Sequence, residues 1–506
     1  MKGGWSEYAP AGFPPQWEYL ETGPEEEINA ICNASRARPL LTAFGWEVQL
    51  GQEAWVPFSG SGGRLCASSD CEPEVISFRS QIPRSTLVLV ALMIVVIPIM
   101  GIFDVIETFQ GGAGLMYLET ARGGGERVGK DFLYLREVLL FALVGVLFFW
   151  LCLAGRPLPR IPGVGFLLTC LGIGFLVSVS SHPVIIGLVG LRQLAYPMLV
   201  YSLYYIAHES DRIESIFVWV TIWVALVEFL LASIQLLFMA GTSVALLGGR
   251  AYGTFNNPNS LGAVFAILVF VALFLGRLPR WVTVAMVVLC VVGGLMAASR
   301  AGLLATAFVF VAFGWGRLRK PDVRGMFLTA AAVGAVLLFL TVGIITGRGG
   351  GADTTPLQDP RVQILAEQIQ GRGPAELLFG RGLGVGTNTL FSLGLDPGRF
   401  SNVMFIADST VTSLIAQIGF VGLVAFAGVL AALSARCGFA GWVLFGMTWL
   451  LGLGVNWLEF YPINLIVTSA YGLLWAKADR LRAAREERVV ERRAADAAQV
   501  CAHEGS

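Results

Sequence analysis

Charge is the scarcest commodity in this chain. Of 506 residues only 14% are charged, where a soluble protein of this length needs about a quarter to face water. The 35 Lys+Arg balance 35 Asp+Glu, so no basic footprint for nucleic acid is present. Histidine occurs three times, and no His, Cys, Asp and Glu spacing reads as a metal site. The eight cysteines include no C-x-x-C pair; Cys152, Cys170, Cys290 and Cys437 lie in or beside apolar runs, where a thiol packs as a small hydrophobe. Residues 1–84 lack a basic start followed by an apolar core, so they do not read as a signal peptide.

What the chain has is apolar length. Hydrophobic residues make up 55% of it and mean hydropathy is +0.70. Runs long enough to cross about 30 Å of hydrocarbon fall at 85–107, 133–154, 163–180, 184–207, 214–240, 259–276, 281–298, 301–315, 326–346, 406–434, 440–455 and 462–477. The expected fold is therefore all-α: a polytopic membrane protein of about twelve spans.

Lys and Arg in the short connections set the orientation. If the first span enters from the cytoplasm, the inner connections carry Arg156, Arg160, Arg212, Arg277, Arg280, Arg317, Arg319, Lys320, Arg324 and Arg436, and the tail from Lys477 adds more. The short outer connections hold only Arg250 and Arg300. This places both termini in the cytoplasm. Residues 347–405 form a large outer loop between the ninth and tenth spans, with an amphipathic helix at 361–370, and 478–506 form a charged inner tail. Residues 1–84, with 11 acidic and 6 basic side chains, read equally as a cytoplasmic extension, a disordered arm or an upstream stretch from a misassigned start codon.

Charge inside a membrane is costly and signals function by default. Arg192, in LRQLAYP, lies well inside the fourth span, to serve a substrate or to pair with an acid such as Glu228. Arg250 opens RAYGTFNNPNSLG, where one asparagine of Asn256, Asn257 and Asn259 suffices to cap the next helix. The remaining two, beside an outer arginine, suggest a polar pocket wall. Arg300 sits in the tight ASRAG turn on the same side. Three guanidinium groups at similar depth suit a polyanionic phosphate or diphosphate headgroup, although each could instead pair with a lone carboxylate.

The outer loop adds Arg361 in DPRVQIL and Arg381 in LLFGRGLGVGTN. The glycines of the latter mimic a dinucleotide loop, but no strand–helix unit surrounds them, leaving a tight turn near substrate or a flexible loop. Asp408, in FIADSTVTSLIAQIGFVG, is an N-cap or a base for an attacking hydroxyl, and His182 is a second candidate base. Glu459 and Tyr461, in NWLEFYP, could line the same cavity.

In their order, spacing and common side, these segments resemble the O-antigen ligase and polymerase family of bacterial envelope glycan enzymes, over about residues 160–435. The resemblance implies a GT-C-like, metal-independent glycosyltransferase of the bacterial inner membrane with no cofactor. Its donor would be an oligosaccharide on undecaprenyl diphosphate, used at the periplasmic face. Arg192 and Arg300 would stabilise the leaving diphosphate and Arg250 would hold it. A base would activate the acceptor hydroxyl, with Asp408 and His182 the candidates among these residues. Asn256, Asn257, Asn259, Arg361, Arg381, His182, Glu459 and Tyr461 would line the substrate site. A flippase and a chain-length regulator would act in the same pathway.

Ligases of the family carry a His-Asn pair where this chain has Asp408-Ser409, which favours a polymerase of lipid-linked repeat units in O-antigen or exopolysaccharide synthesis. A ligase transferring glycan to lipid A core is the alternative. From other classes, a transporter or flippase of an anionic or lipid-linked substrate would show internal symmetry or paired broken helices, and an assembly subunit would not need the arginines.

Overall fold

The structure is a computed structural model. It describes residues 159–191, 195–209, 211–238, 250–255, 257–276, 278–318, 372–387, 409–460 and 463–504, with single helical positions at 145, 149, 366 and 370. The extension 1–84, the spans expected at 85–107 and 326–346, and most of 133–154 and of the loop 347–405 lie outside these residues.

The described residues are helical, with no strand among them. In chain order they form α1 (Val164–Ser181), α2 (Val184–Leu191), α3 (Ala195–Glu209), α4 (Asp211–Phe238), α5 (Pro258–Phe270), α6 (Arg280–Ala297), α7 (Arg300–Leu318), α8 (Pro374–Phe379), α9 (Thr410–Gly454) and α10 (Ile463–Glu504). Segments Val164–Ser181, Arg212–Leu237, Pro258–Leu275, Arg280–Ala297 and Thr410–Gly454 are long and apolar enough to cross a membrane. Large apolar side chains on their outer faces are exposed, Leu176, Trp223 and Val424 among them. A surface of that kind is soluble only in lipid. The chain is a helical membrane protein.

A helix of 45 residues running straight would extend about 68 Å, more than twice the hydrocarbon thickness. α9 does not run straight. Its backbone leaves helical geometry at Gly438 (φ 70°), and beyond that point the chain returns. Ser409 Oγ donates to the Gly452 carbonyl (2.8 Å) and Thr410 Oγ1 to that of Val455 (3.1 Å), joining the two ends of the element. The separate spans expected at 406–434 and 440–455 are the two arms of this hairpin.

α5 is the axis of the bundle, and every residue in it except Asn259 is buried. Lipid supplies no hydrophobic drive between helices, so close approach depends on small residues. A Cβ on Gly302 of α7 would lie 2.5 Å from the Gly262 backbone, and the Phe265 ring covers Gly293 of α6 so closely that a Cβ there would lie 2.4 Å from it.

One end of the bundle is basic. Lys477 Nζ donates to Glu214 (2.8 Å) and to the Leu275 carbonyl (3.2 Å). Arg480 reaches the same carboxylate at 3.4 Å. Arg436 donates to the Arg160 carbonyl and lies over the Trp475 ring, and Tyr204 donates to Asp479 (3.0 Å). Exposed Trp281 and Trp315 flank this end, as aromatic residues do at a membrane–water boundary. The tail expected from 478 is no separate element: α10 continues unbroken from Ile463 to Glu504.

Candidate functional site

Those of the polar residues singled out in the sequence that the structure describes gather at the end opposite the basic one. α7 starts at Arg300 and runs beside the second arm of α9, where Gly446 meets Phe308 and Gly316 meets Phe439. Its first turn therefore lies on the same side as Gly452 and Val455.

The ASRAG segment builds the first cluster. α6 ends on Ala298, whose φ of 46° makes it the one non-glycine residue with positive φ among those described. That conformation costs an L-residue about 1–2 kcal/mol and turns the chain within two residues. Ser299 Oγ then accepts the Gly302 amide (3.2 Å), capping α7. Arg300 falls in the first turn, exposed, and makes no hydrogen bond or ion pair among the described residues. Positive charge at a helix N-terminus opposes the helix dipole, so α7 gains no stability from Arg300. The Arg300 charge there suits an anion.

Arg250 is fixed beside this turn. Its Nε donates to the Ala297 carbonyl (3.0 Å) and its Nη2 to Asn259 Oδ1 (2.8 Å), while the Ala251 amide donates to Met296 (3.1 Å). Asn257 is the N-cap of α5, accepting the Asn259 amide at 2.9 Å ahead of Pro258. The asparagines thus divide the work: Asn257 starts the helix and Asn259 holds the arginine.

The strand of chain from 251 to 255 lies along α4 and is held by two side chains seven residues apart on that helix. Glu228 accepts the Thr254 hydroxyl (2.6 Å) and amide (3.0 Å). Gln235 accepts the amides of Tyr252 (3.0 Å) and Gly253 (2.8 Å) and donates to the Gly253 carbonyl (2.8 Å). Glu228, a possible ion-pair partner for Arg192 on sequence grounds, is thereby engaged in positioning Arg250. Gln235 escaped the sequence reading, although a lone amide in the apolar run LLASIQLLF was a legible signal.

The Gly-rich segment builds the second cluster. α9 breaks at Gly419 (φ 68°, ψ −172°), which frees carbonyls inside a membrane span. They are satisfied in order. Arg372 Nη1 donates to Ile415 (3.1 Å), the Arg381 amide to Ala416 (2.8 Å) and the Gly382 amide to Gln417 (3.2 Å). Only glycine permits the approach: a Cβ on Gly419 would lie 2.2 Å from the Leu378 carbonyl oxygen. Of the two expectations the tight turn is found and the flexible loop is corrected, since this backbone packs on helices. Leu383 N–H donates to Gly174 of α1 (2.9 Å), and Ser178 Oγ returns a bond to the Leu383 carbonyl (2.8 Å).

From this loop a polar chain runs through the buried end. The Gly384 amide donates to Gln417 Oε1 (3.2 Å), Gln417 Nε2 to Ser413 Oγ (2.8 Å), and Ser413 Oγ to Glu459 Oε1 (3.3 Å). Glu459 is buried, one turn of chain past Asn456. The Asn456 amide, fully buried, has no hydrogen-bond partner among the described residues for either polar atom. Leaving such a group unsatisfied costs about 1–3 kcal/mol, which a polar guest would recover. Arg381 forms an ion pair with Glu376 (3.0 Å) at the surface, so its charge already faces a carboxylate. The cap of α9 is Ser409, accepting the Thr412 amide (3.4 Å), which removes the N-cap role considered for Asp408.

His182 stands between α1 and α2, half-buried and bonded to the Arg381 backbone. Burial pushes its pKa below 6.5; the Arg381 charge acts the same way and the backbone bond opposes it. That direction favours the neutral form, which a base needs. Burial and the neighbouring Arg381 bring Arg372 down to about 10, so it keeps its charge.

Arg250, Asn259 and Arg300 are therefore brought together, and His182, Arg381 and Glu459 belong to a second group at the same end. Arg192, Asn256, Arg361, Asp408 and Tyr461 lie outside the described residues. Among the described residues no group of three His, Cys, Asp or Glu could hold a metal. No family model matches the chain, and no curated protein matches it.

Proposed function

We propose that the protein is an integral-membrane glycosyltransferase that transfers a glycan from undecaprenyl diphosphate to an acceptor sugar hydroxyl, and that it polymerises lipid-linked repeat units. One observation carries the reading: Arg250, fixed by Asn259 and Ala297, stands beside Arg300 in the first turn of α7, at the end away from the basic cluster. By the distribution of positive charge the basic end is cytoplasmic, which puts the arginines on the periplasmic side.

The acceptor oxygen attacks the anomeric carbon and the bond to the diphosphate oxygen breaks, inverting the centre. The departing diphosphate keeps the electron pair and meets Arg250 and Arg300, whose charge stabilises it most as it develops. The proton lost by the acceptor hydroxyl goes to a base. Asp408 and His182 are the two candidate bases, and burial favours the neutral form of His182.

The broken helix at Gly419 favours a second reading, because transporters coordinate ions with unwound carbonyls. Here those carbonyls are occupied by Arg372, Arg381 and Gly382, which weighs against transport. The products of a deletion strain test the proposal. Single lipid-linked repeats that fail to extend match a lost polymerase, and full-length chains stranded on undecaprenyl diphosphate indicate a ligase. Repeats trapped on the cytoplasmic side would indicate a flippase and end the enzyme reading.

A further inference from the structure

Arginines from three elements meet at the basic end. Arg160 stands in the connection before α1, Arg436 two residues before the break at Gly438, and Arg482 on α10. They are joined in series: Arg436 donates to the Arg160 carbonyl, and Arg482 to the Arg436 carbonyl. Topology requires cations in inner connections, but it does not require three of them to converge.

Their charge is not balanced by the acids around them. Both oxygens of Asp479 are engaged, Oδ1 by Arg482 (2.7 Å) and Oδ2 by Tyr204 (3.0 Å). Glu214 is taken by Lys477 and Arg480. Farther along α10, Glu486 and Glu487 are matched by Arg485 and Arg488. Among the described residues Arg436 is held by a carbonyl and by the Trp475 ring, 5.5 Å from its Cζ, and not by a carboxylate. Arg160 is exposed, and its side chain makes no hydrogen bond or ion pair among the described residues. A carbonyl fixes a guanidinium without neutralising it, and most of its five donors stay open to a phosphate.

Apolar surface adjoins the cluster. Phe166, six residues past Arg160, and Phe439, three past Arg436, are exposed. A molecule that suits both features carries an anionic phosphate at the membrane boundary and hydrocarbon below it. Basic pockets between helices on the cytoplasmic side bind such headgroups. We infer that Arg160, Arg436 and Arg482 bind the phosphodiester of an anionic phospholipid, drawn from the cytoplasmic leaflet in the orientation proposed above. The bound headgroup ties the start of α1 to the bend of α9 and to α10, whatever glycan donor is used at the other end.

Native mass spectrometry of the full-length protein tests it, with phosphatidylglycerol, phosphatidylcholine and inorganic phosphate as probes. Phosphatidylglycerol should bind more tightly than phosphatidylcholine. Arg160→Gln and Arg436→Gln should each weaken it by about fivefold, the effect of one basic residue at an anionic surface. Arg280→Gln removes an exposed charge at the same end outside the cluster and should leave binding unchanged. Equal affinity for the two lipids, or equal losses in Arg160→Gln and Arg280→Gln, would overturn the inference, because bulk charge would then account for binding. Displacement of phosphatidylglycerol by inorganic phosphate would also overturn it and assign the cluster to a free anion. Arg160→Gln keeps the backbone carbonyl that Arg436 uses, so it decides even if Arg436→Gln does not fold.

Discussion

The Arg250 guanidinium donates to the Asn259 side-chain oxygen at 2.8 Å, joining the connection before α5 to the first turn of that helix. An arginine reaching a membrane boundary from a connection has many rotamers, and this bond together with the Ala297 carbonyl selects one. Asn259→Ala should therefore lower transfer activity by about tenfold, the ~1.5 kcal/mol of one charged hydrogen bond. Asn259→Asp would keep the geometry but offset the charge, and should raise the KM for the donor with a smaller effect on kcat. Equal kinetics in both variants and the wild type would remove Asn259 from the site.

The 251–255 segment depends on Glu228. A Cβ on Gly253 (φ 59°) would lie 2.2 Å from Glu228 Oε2. Gly253→Ala should lower thermal stability by about 1–3 kcal/mol in detergent, as should Glu228→Ala, which orphans the Thr254 amide. Gly428→Ala is the control, because nothing lies within 4 Å of a Cβ there. A Gly253→Ala melting curve matching that of Gly428→Ala would contradict this.

Asn456 separates stability from activity. Its amide is buried without a hydrogen-bond partner among the described residues, so Asn456→Leu should raise the melting temperature by removing a desolvated polar group. If that amide serves the reaction, the same variant should turn over more slowly. A stabilised variant of full activity would make Asn456 irrelevant to catalysis.

His182 offers a pH test. Its folded pKa lies below 6.5, so between that value and 6.5 the unfolded chain binds more protons than the native one. The neutral-histidine contribution to stability is thus complete above 6.5 and falls away as pH drops through the folded pKa. Histidine ¹³C NMR on the purified protein, with His182→Gln to assign the signal, should show titration below 6.5. A midpoint above 6.5 would show that burial does not govern this side chain.

Much of the helical order was legible because apolar length is a collective signal. Expected spans at 163–180, 214–240, 259–276 and 281–298 coincide within a few residues with α1, α4, the segment Pro258–Leu275 that α5 begins, and α6. The ASRAG turn was legible too, since two apolar runs separated by Ser299 and Arg300 leave room for nothing longer. The partners of the polar groups were not. Nothing local announces that Glu228 binds Thr254 or that Gln417 reaches Gly384, because each pair joins a helix to a connection, across 26 and 33 residues of chain. The glycines at 380–386 were legible as a tight turn, but not what the turn packs against: the fold uses their conformational freedom to seat backbone against the broken end of α9.

The central measurement is glycan transfer by the purified protein in proteoliposomes with a lipid diphosphate donor. Arg250→Ala and Arg300→Ala should each lower kcat/KM by about a hundredfold or more, the ~3 kcal/mol expected for one charge that stabilises the leaving group. Arg212→Ala, an exposed position at the basic end, should leave it unchanged. Wild-type transfer by Arg250→Ala and Arg300→Ala would contradict the account.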